Sequence, residues 1–196
     1  MVLQQGKYAE TSFLGPEMQP VALDVKQNGF AILRSPQVHG FLGLEPPDTM
    51  SSSPDCFICR KHKNLETFTG IAIAESQGWI LTHFPFIESE KATKGHLILE
   101  TKRHITDLTE LNDHEAAELG SLMRRGVQQI KSKLGAEHVY IFRINDKVPH
   151  LHIHLIPRYP GTPKEYLGFK INEWPERTIL DLDQIRAVSR QLAEAD

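Results

Sequence analysis

Residues 150–156 read His150-Leu151-His152-Ile153-His154-Leu155-Ile156, imidazole alternating with aliphatic until the last pair. Successive side chains on a β-strand point to opposite faces. The pattern therefore predicts a strand with His150, His152 and His154 on one face and Leu151, Ile153 and Leu155 on the other. The aliphatic face suits a core, and the other presents three imidazoles together. Imidazole is a nucleophile and proton carrier near neutral pH, and a metal ligand. Neighbouring outward positions on a strand stand about 6–7 Å apart, so two of these rings can do different jobs within one site. The chain has ten histidines in all, and three in successive outward positions read better as a site than as an ordinary exposed face.

A second chemical signal is Cys56-Phe57-Ile58-Cys59, which holds the chain's two cysteines. Two cysteines exclude a disulfide scaffold. In a reducing compartment this spacing marks either part of a metal site or a redox pair. A thioredoxin-like pair belongs at a helix N-terminus after a strand. Here Pro54 and Asp55 precede Cys56 with no strand pattern before them, which favours metal. Zinc takes tetrahedral sets of Cys and His, and His62, close behind Cys59, is one candidate to complete the set.

These residues need elements to hold them. Residues 70–74 and 79–82 read as strands around the turn Glu75-Ser76-Gln77-Gly78, and residues 96–100, 139–144 and 150–156 as three more. Asn112 followed three residues later by Glu115 is a capping-box pattern. Leu119, Leu122, Met123, Val127, Ile130 and Leu134 then recur at spacings of three and four, which predicts a long helix with one apolar face. Gly135 stands where such a helix needs a left-handed stop. Leu182, Ile185, Val188 and Leu192 mark a terminal amphipathic helix. Residues 158–175 between them are rich in aromatic residues and proline; they line a pocket, reach a partner subunit, or close the surface over the last helix. Short strands with one long inserted helix predict an α+β domain with a mainly antiparallel sheet.

With 196 residues, 40% of them hydrophobic and 24% charged, the chain has the balance of one globular domain with an appendage. Its net charge of −3 exerts no global pull toward nucleic acid or an anionic membrane. No apolar run approaches the roughly 20 residues that span a bilayer, and residues 1–15 lack a secretory pattern, so a cytoplasmic setting is expected. The basic clusters Arg60, Lys61 and Lys63, Lys102 and Arg103, and Arg124 and Arg125 read as solvated faces. Residues 1–53 are punctuated by glycine and proline, with a short strand pattern at 30–33. They are expected to be an extension, either disordered or draped over a domain of residues 54–196.

Residues 150–156 resemble the signature of the histidine-triad (HIT) superfamily, His-φ-His-φ-His-φ-φ with φ apolar. The resemblance extends to Gly95-His96-Leu97-Ile98-Leu99, to the basic-basic-His turn Lys102-Arg103-His104 followed by Asp107-Leu108, and to the long helix from Asn112. It covers residues 54 to 160 and implies a HIT-like sheet with one long helix. In the family the middle histidine is the nucleophile, which falls on His152. It attacks an α-phosphorus and forms a nucleotidyl-histidine that water resolves. Hydrolase-type members carry histidine at the third position, here His154, whereas the nucleotidyltransferase and phosphorylase branches resemble His-x-His-x-Gln.

The zinc-containing Cys-x-x-Cys branch resembles this chain further and implies a structural zinc on Cys56, Cys59, His104 and His150. His104 is then preferred over His62. The implied catalytic residues are His152 and His154. Substrate-binding residues are Lys147, Val148 and His96, with His96 more a support than a participant. Two stretches depart from the family. Asn145-Asp146-Lys147-Val148 stands in place of Gly-Gln-Ser/Thr-Val, so that Lys147 supplies the phosphate with a point charge. Thr82-His83-Phe84-Pro85 replaces an Asp/Asn-rich segment. The resemblance implies a nucleotide hydrolase, acting on dinucleoside polyphosphates or nucleoside phosphoramidates, with a nucleotide as partner and a homodimer as assembly. A nucleotidyltransferase or phosphorylase, and a non-catalytic nucleotide-binding protein, are the alternatives. The acidic balance weighs against nucleic-acid ends as substrates.

Overall fold

The computed structural model describes residues 52–88, 91–144 and 146–194. Its apolar runs pair as one antiparallel sheet of five strands. These are β1 (Ala74–Glu75), β2 (Trp79–His83), β3 (Leu97–Thr101), β4 (His138–Phe142) and β5 (His152–Arg158). Their order is β1-β2-β3-β5-β4, so the histidine strand is internal and β4 is an edge. The strand expected over residues 70–74 is reduced to its last residue, because Gly70 takes a left-handed backbone with φ of 87°. The strand expected to begin at residue 150 begins at His152.

Register decides the faces. Leu97 pairs with Leu155 and Leu99 with Ile153, while Ile98 pairs with His154 and Glu100 with His152. The first set turns inward and joins Trp79, Leu81 and Leu151 in the main core. That face is covered by two further helices, whose numbers follow chain order: α3 (Asp113–Leu134) and α4 (Leu182–Ala193).

The long helix α3 starts and stops where its sequence directs. Asn112 accepts from the Glu115 N–H, Glu115 accepts in return from the Asn112 N–H, and Gly135 closes the C-terminus at φ 73°. Gly126, on the buried face, lets the helix approach the sheet: a β-carbon there would lie 2.6 Å from Leu155 Cδ1 and 3.2 Å from Leu81 Cδ2. In α4, Asp181 and Gln184 make another reciprocal cap, and Ile185, Val188 and Leu192 are buried.

On the opposite side of the sheet lies α1 (Phe57–Lys63), followed by α2 (Leu65–Phe68), whose Glu66 carbonyl accepts from Arg186 of α4; the periodicity predicted neither. With seven and four residues, they are too short to develop a readable apolar stripe. Residues 158–175 include two 3₁₀ segments, Lys164–Tyr166 and Gly168–Glu173. Among the described residues, no helix is long and apolar enough to cross a membrane. The strand expected at residues 30–33, and the proposed extension up to residue 51, lie outside the described residues.

Candidate functional site

The helix α1 brings Cys56, its N-cap, and Cys59 to the end of the sheet where β3 leaves and β5 enters. The ligand atoms of Cys56, Cys59, His104 and His150 all lie within 4.8 Å of one another. Cys56 Sγ is 3.5 Å and Cys59 Sγ 3.6 Å from His150 Nδ1, and Cys59 Sγ is 3.5 Å from His104 Nδ1. Zinc arms of about 2.3 Å to sulfur and about 2.1 Å to nitrogen, at a tetrahedral angle, separate such atoms by about 3.6 Å. These three pairs stand at tetrahedral separation, and two thiols with two imidazoles are the donor set of a four-coordinate structural metal. His150 is fully buried and its Nε2–H donates to the Thr101 carbonyl at 2.7 Å, which leaves Nδ1 as the ligand atom. His62 is engaged elsewhere, 2.9 Å from Glu100 Oε2, which separates it from His104 as a candidate. The cysteines do sit at a helix N-terminus, as a redox pair would, but no strand leads into it among the described residues.

The same residue that offers Nδ1 to a metal also orients its neighbour. The Nδ1–H of His152 donates to the His150 carbonyl at 2.6 Å, so Nε2 carries the lone pair. Burial lowers the His152 pKa, so the ring is neutral at pH 7. His154 is half-buried, and burial, helped by the His152 charge, lowers it to about 4. Its Nδ1 lies 3.0 Å from His96 Nε2, and His96 stacks on Phe84 with ring centroids 4.6 Å apart. His96 is itself buried and held neutral by desolvation. It meets the site through His154.

Sequence reading missed the polar floor of the site. Lys61, read there as part of a solvated basic cluster, is fully buried. Its ammonium donates to Glu100 Oε1 at 2.6 Å and to Thr82 Oγ1 at 2.9 Å, while His62 meets the other carboxylate oxygen. Burial alone would raise the Glu100 pKa; the charge of Lys61 and the hydrogen bond from His62 outweigh it and hold the carboxyl at about 2. Glu100 pairs with His152 across the strands, so this ionised group lies beside the imidazole. The available signal was Glu100 itself, an acid ending an otherwise apolar strand run, which needs a buried cation as company.

A cavity of about 430 Å³ opens over this floor. His152, His154 and Glu100 line it, with Phe57, Ile58 and Val148 among its apolar walls. Lys147 and Val148 both border it, so the structure gathers those two predicted residues with His152 and His154. His96 lines an adjoining cavity. Asn145, the first residue of the variant stretch, lies outside the described residues. The arrangement offers a neutral nucleophilic nitrogen, a second imidazole and a largely apolar pocket lined also by the Lys147 cation and the Asp146 carboxylate.

Residues 83–161 match the family model of the HIT domain. The chain is 26% identical over 113 residues to the adenosine 5'-monophosphoramidase of Schizosaccharomyces pombe, a match covering 55% of this chain and 77% of that protein. It is 30% identical over 83 residues to the nitrilase and fragile histidine triad fusion protein of Caenorhabditis elegans, covering 40% of this chain and 19% of that protein. Among solved structures, a Hit-like protein of Bartonella henselae aligns with a TM-score of 0.53 at 14% identity, over 73% of this chain and 97% of that one, a likeness of fold.

Proposed function

Because residues 83–161 form a HIT domain, we propose that this protein is a nucleotide hydrolase working at an α-phosphorus through a nucleotidyl-histidine on His152. The observation that carries the reading is the 2.6 Å hydrogen bond from His152 Nδ1–H to the His150 carbonyl. It commits Nε2 to being the lone-pair nitrogen of a neutral ring.

In the first step the Nε2 lone pair forms a bond to phosphorus. The bond from phosphorus to the leaving oxygen or nitrogen breaks, and its electron pair stays with the leaving atom, which takes up a proton from solvent. The ring, now bonded at both nitrogens, gains positive charge. Its hydrogen bond to the carbonyl then strengthens, and the Glu100 carboxylate opposite favours that charge. In the second step a water oxygen bonds to phosphorus, the P–Nε2 electrons return to the imidazole, and the water proton passes to solvent.

His154 serves the leaving atom. Donation from His96 Nε2–H to His154 Nδ1 leaves a His154 Nε2–H to be shared with it. That makes His154 catalytic and His96 a positioning residue. Lys147 supplies charge to the phosphate and Val148 its backbone. A zinc ion on Cys56, Cys59, His104 and His150 would supply a structural cross-link between α1, the turn after β3 and the entry to β5, and no chemical step. The named activity of the Schizosaccharomyces pombe relative supports phosphoramidates as substrates, with dinucleoside polyphosphates as the other class.

The test is turnover of nucleoside phosphoramidates, dinucleoside polyphosphates and nucleotide sugars, with mass-spectrometric trapping of the adduct. Wild type is expected to hydrolyse at least one class and to carry a nucleotidyl group on His152. His152→Ala is expected to lose turnover and adduct while still binding nucleotide. Turnover by His152→Ala at near the wild-type rate refutes the reading.

A further inference from the structure

The cavity that holds His152 does not end at His154. A second hollow of about 250 Å³ lies beyond, and the two share Phe84, Ile144 and His154 as walls. We infer that this second hollow is a leaving-group subsite shaped for an aromatic group that carries negative charge. The inference rests on the hydrolase reading, since only a displacement at phosphorus makes one end of the ligand a leaving group.

Position comes first. In an in-line displacement the leaving group stands on the side of phosphorus opposite the nucleophile. With a nucleoside in the first cavity and Nε2 of His152 at phosphorus, the departing group lies past His154, where the second hollow opens. No other bond change is needed than those already given. The P–N or P–O bond breaks there, its electron pair leaves with the group, and the departing atom is protonated.

The walls name the chemistry. Phe169 is 84% exposed, yet its ring is not isolated: it lies 5.1 Å from that of Phe142 with a 30° tilt, beside the exposed Ile144. Such a set leaves an aromatic face open to a flat ligand. Lys91 and Arg177 supply charge, and no carboxylate is among the described residues lining the hollow. His96 and His154, both held neutral by burial, add none. The Arg177 guanidinium is set in place by Nη1–H donation to the Trp174 carbonyl at 2.7 Å and by Nε–H donation to Thr93 Oγ1 at 3.3 Å.

The segment bearing Arg177 is fastened beside the one bearing Lys91. Thr93 forms a bridge with Ile179, Lys94 N–H donates to the Thr178 carbonyl, and Leu180 N–H to the Ala92 carbonyl. The segments that carry the two cations are therefore joined by backbone pairing, and the residues after the histidine strand form one wall of the hollow.

The test uses three AMP phosphoramidates sharing the scissile P–N bond, made with butylamine, benzylamine and 4-(aminomethyl)benzoate. The readout is the ratio of kcat/KM values within each enzyme, which cancels any difference in active fraction. Wild type is expected to prefer the benzoate to the butylamide by about tenfold or more, from one aromatic pair and one charge-assisted contact. Phe169→Ala is expected to shrink the benzylamide-to-butylamide ratio by about 2- to 10-fold. Its exposed ring leaves no core cavity behind. Arg177→Ala is expected to shrink the benzoate-to-benzylamide ratio by a similar factor, and Arg177→Lys to restore part of it. Ratios unchanged in both alanine variants, or no wild-type preference, overturn the inference while the hydrolase reading stands. Absence of turnover with all three amides overturns the inference, and the hydrolase reading falls with it if dinucleoside polyphosphates and nucleotide sugars are not hydrolysed either.

Discussion

Replacing Lys61 with methionine removes the cation from a pair in which both side chains are buried, 0% and 1% exposed, and 2.6 Å apart. Glu100 then keeps the contact with His62 Nε2 at 2.9 Å. Glu100 sits at about 2 instead of its usual 4.5, a difference worth about 3 kcal/mol at roughly 1.36 kcal/mol per pH unit. An independent scale, about 3–5 kcal/mol for removing one partner of a buried pair, gives the same size. The sign follows from the depressed pKa. The stabilisation is fully present above about pH 4.5 and is lost as pH falls toward 2. Without Lys61, burial pushes the carboxyl up, so the gap between wild type and Lys61→Met narrows below about pH 5.

The assay is equilibrium urea unfolding of wild type, Lys61→Met, Glu100→Leu and the double variant, with metal saturating at neutral pH and all four compared again at lower pH. The single variants are expected to lose about 3 kcal/mol each. The double variant is expected to lose about 1 kcal/mol or less, since two apolar chains leave no stranded charge. A Lys61→Met cost under about 1 kcal/mol, or a double variant as costly as the sum of the singles, refutes the reasoning.

Two further outcomes follow from the packing and the donor set. Chelation is expected to lower the Tm by at least about 8 °C, from about 4 kcal/mol at a thousandfold excess over Kd and about 2–4 °C per kcal/mol for a chain of this size. His104→Ala is expected to remove most of that chelator-sensitive difference; an equal Tm with and without chelator in wild type refutes the metal assignment. Gly126→Ala adds a methyl 2.6 Å from Leu155 Cδ1 and 3.2 Å from Leu81 Cδ2, both side chains fully buried. Overpacking of about 1–3 kcal/mol outweighs a helix-propensity gain of about 1 kcal/mol. Urea unfolding should record a net loss, and a stabilised variant refutes the close approach of α3 to the sheet.

The parts of this fold that were legible in the sequence are those whose signals are local. Asn112 and Glu115 announce the start of α3 within four residues, and Gly135 its end, because caps and left-handed stops are chemistry between near neighbours. The alternation at 150–156 is local in the same way and assigns Leu151, Ile153 and Leu155 to the core. Lys61 was not legible. Its partners Thr82 and Glu100 lie 21 and 39 residues away, and its immediate neighbours Arg60 and Lys63 make it look like one more surface cation. The choice between His62 and His104 was likewise decided by Glu100, which takes one imidazole and leaves the other for the cysteines. For the aromatic tail that carries Phe169, lining a pocket was one of three alternatives left open, and Arg177 was not singled out, because 3₁₀ turns carry no strong period and their place over β4 is set by tertiary contacts.

His150 links the two halves of the site, and it does so through separate atoms. Its Nε2–H is spent on the Thr101 carbonyl, its Nδ1 faces the cysteines, and its backbone carbonyl takes the Nδ1–H of His152. A metal that holds the ring therefore steadies the peptide group on which the His152 tautomer depends. It does so two residues from the proposed nucleophile and without joining the chemistry. The cross-strand neighbour, Glu100, is steadied from the same helix by Lys61 and His62. Both supports of His152 thus trace back to the segment between Cys56 and Lys63, which lies on the histidine face of the sheet and packs in an apolar cluster of its own with Val148, apart from the main core. That short helix lacks the length to be stable alone. Beyond the burial of Ile58, its stability must come from the cysteine donors at one end and the buried ion pair in its last turn. Loss of either is expected to reach His152 through the position of its hydrogen-bond partner, not through contact with it.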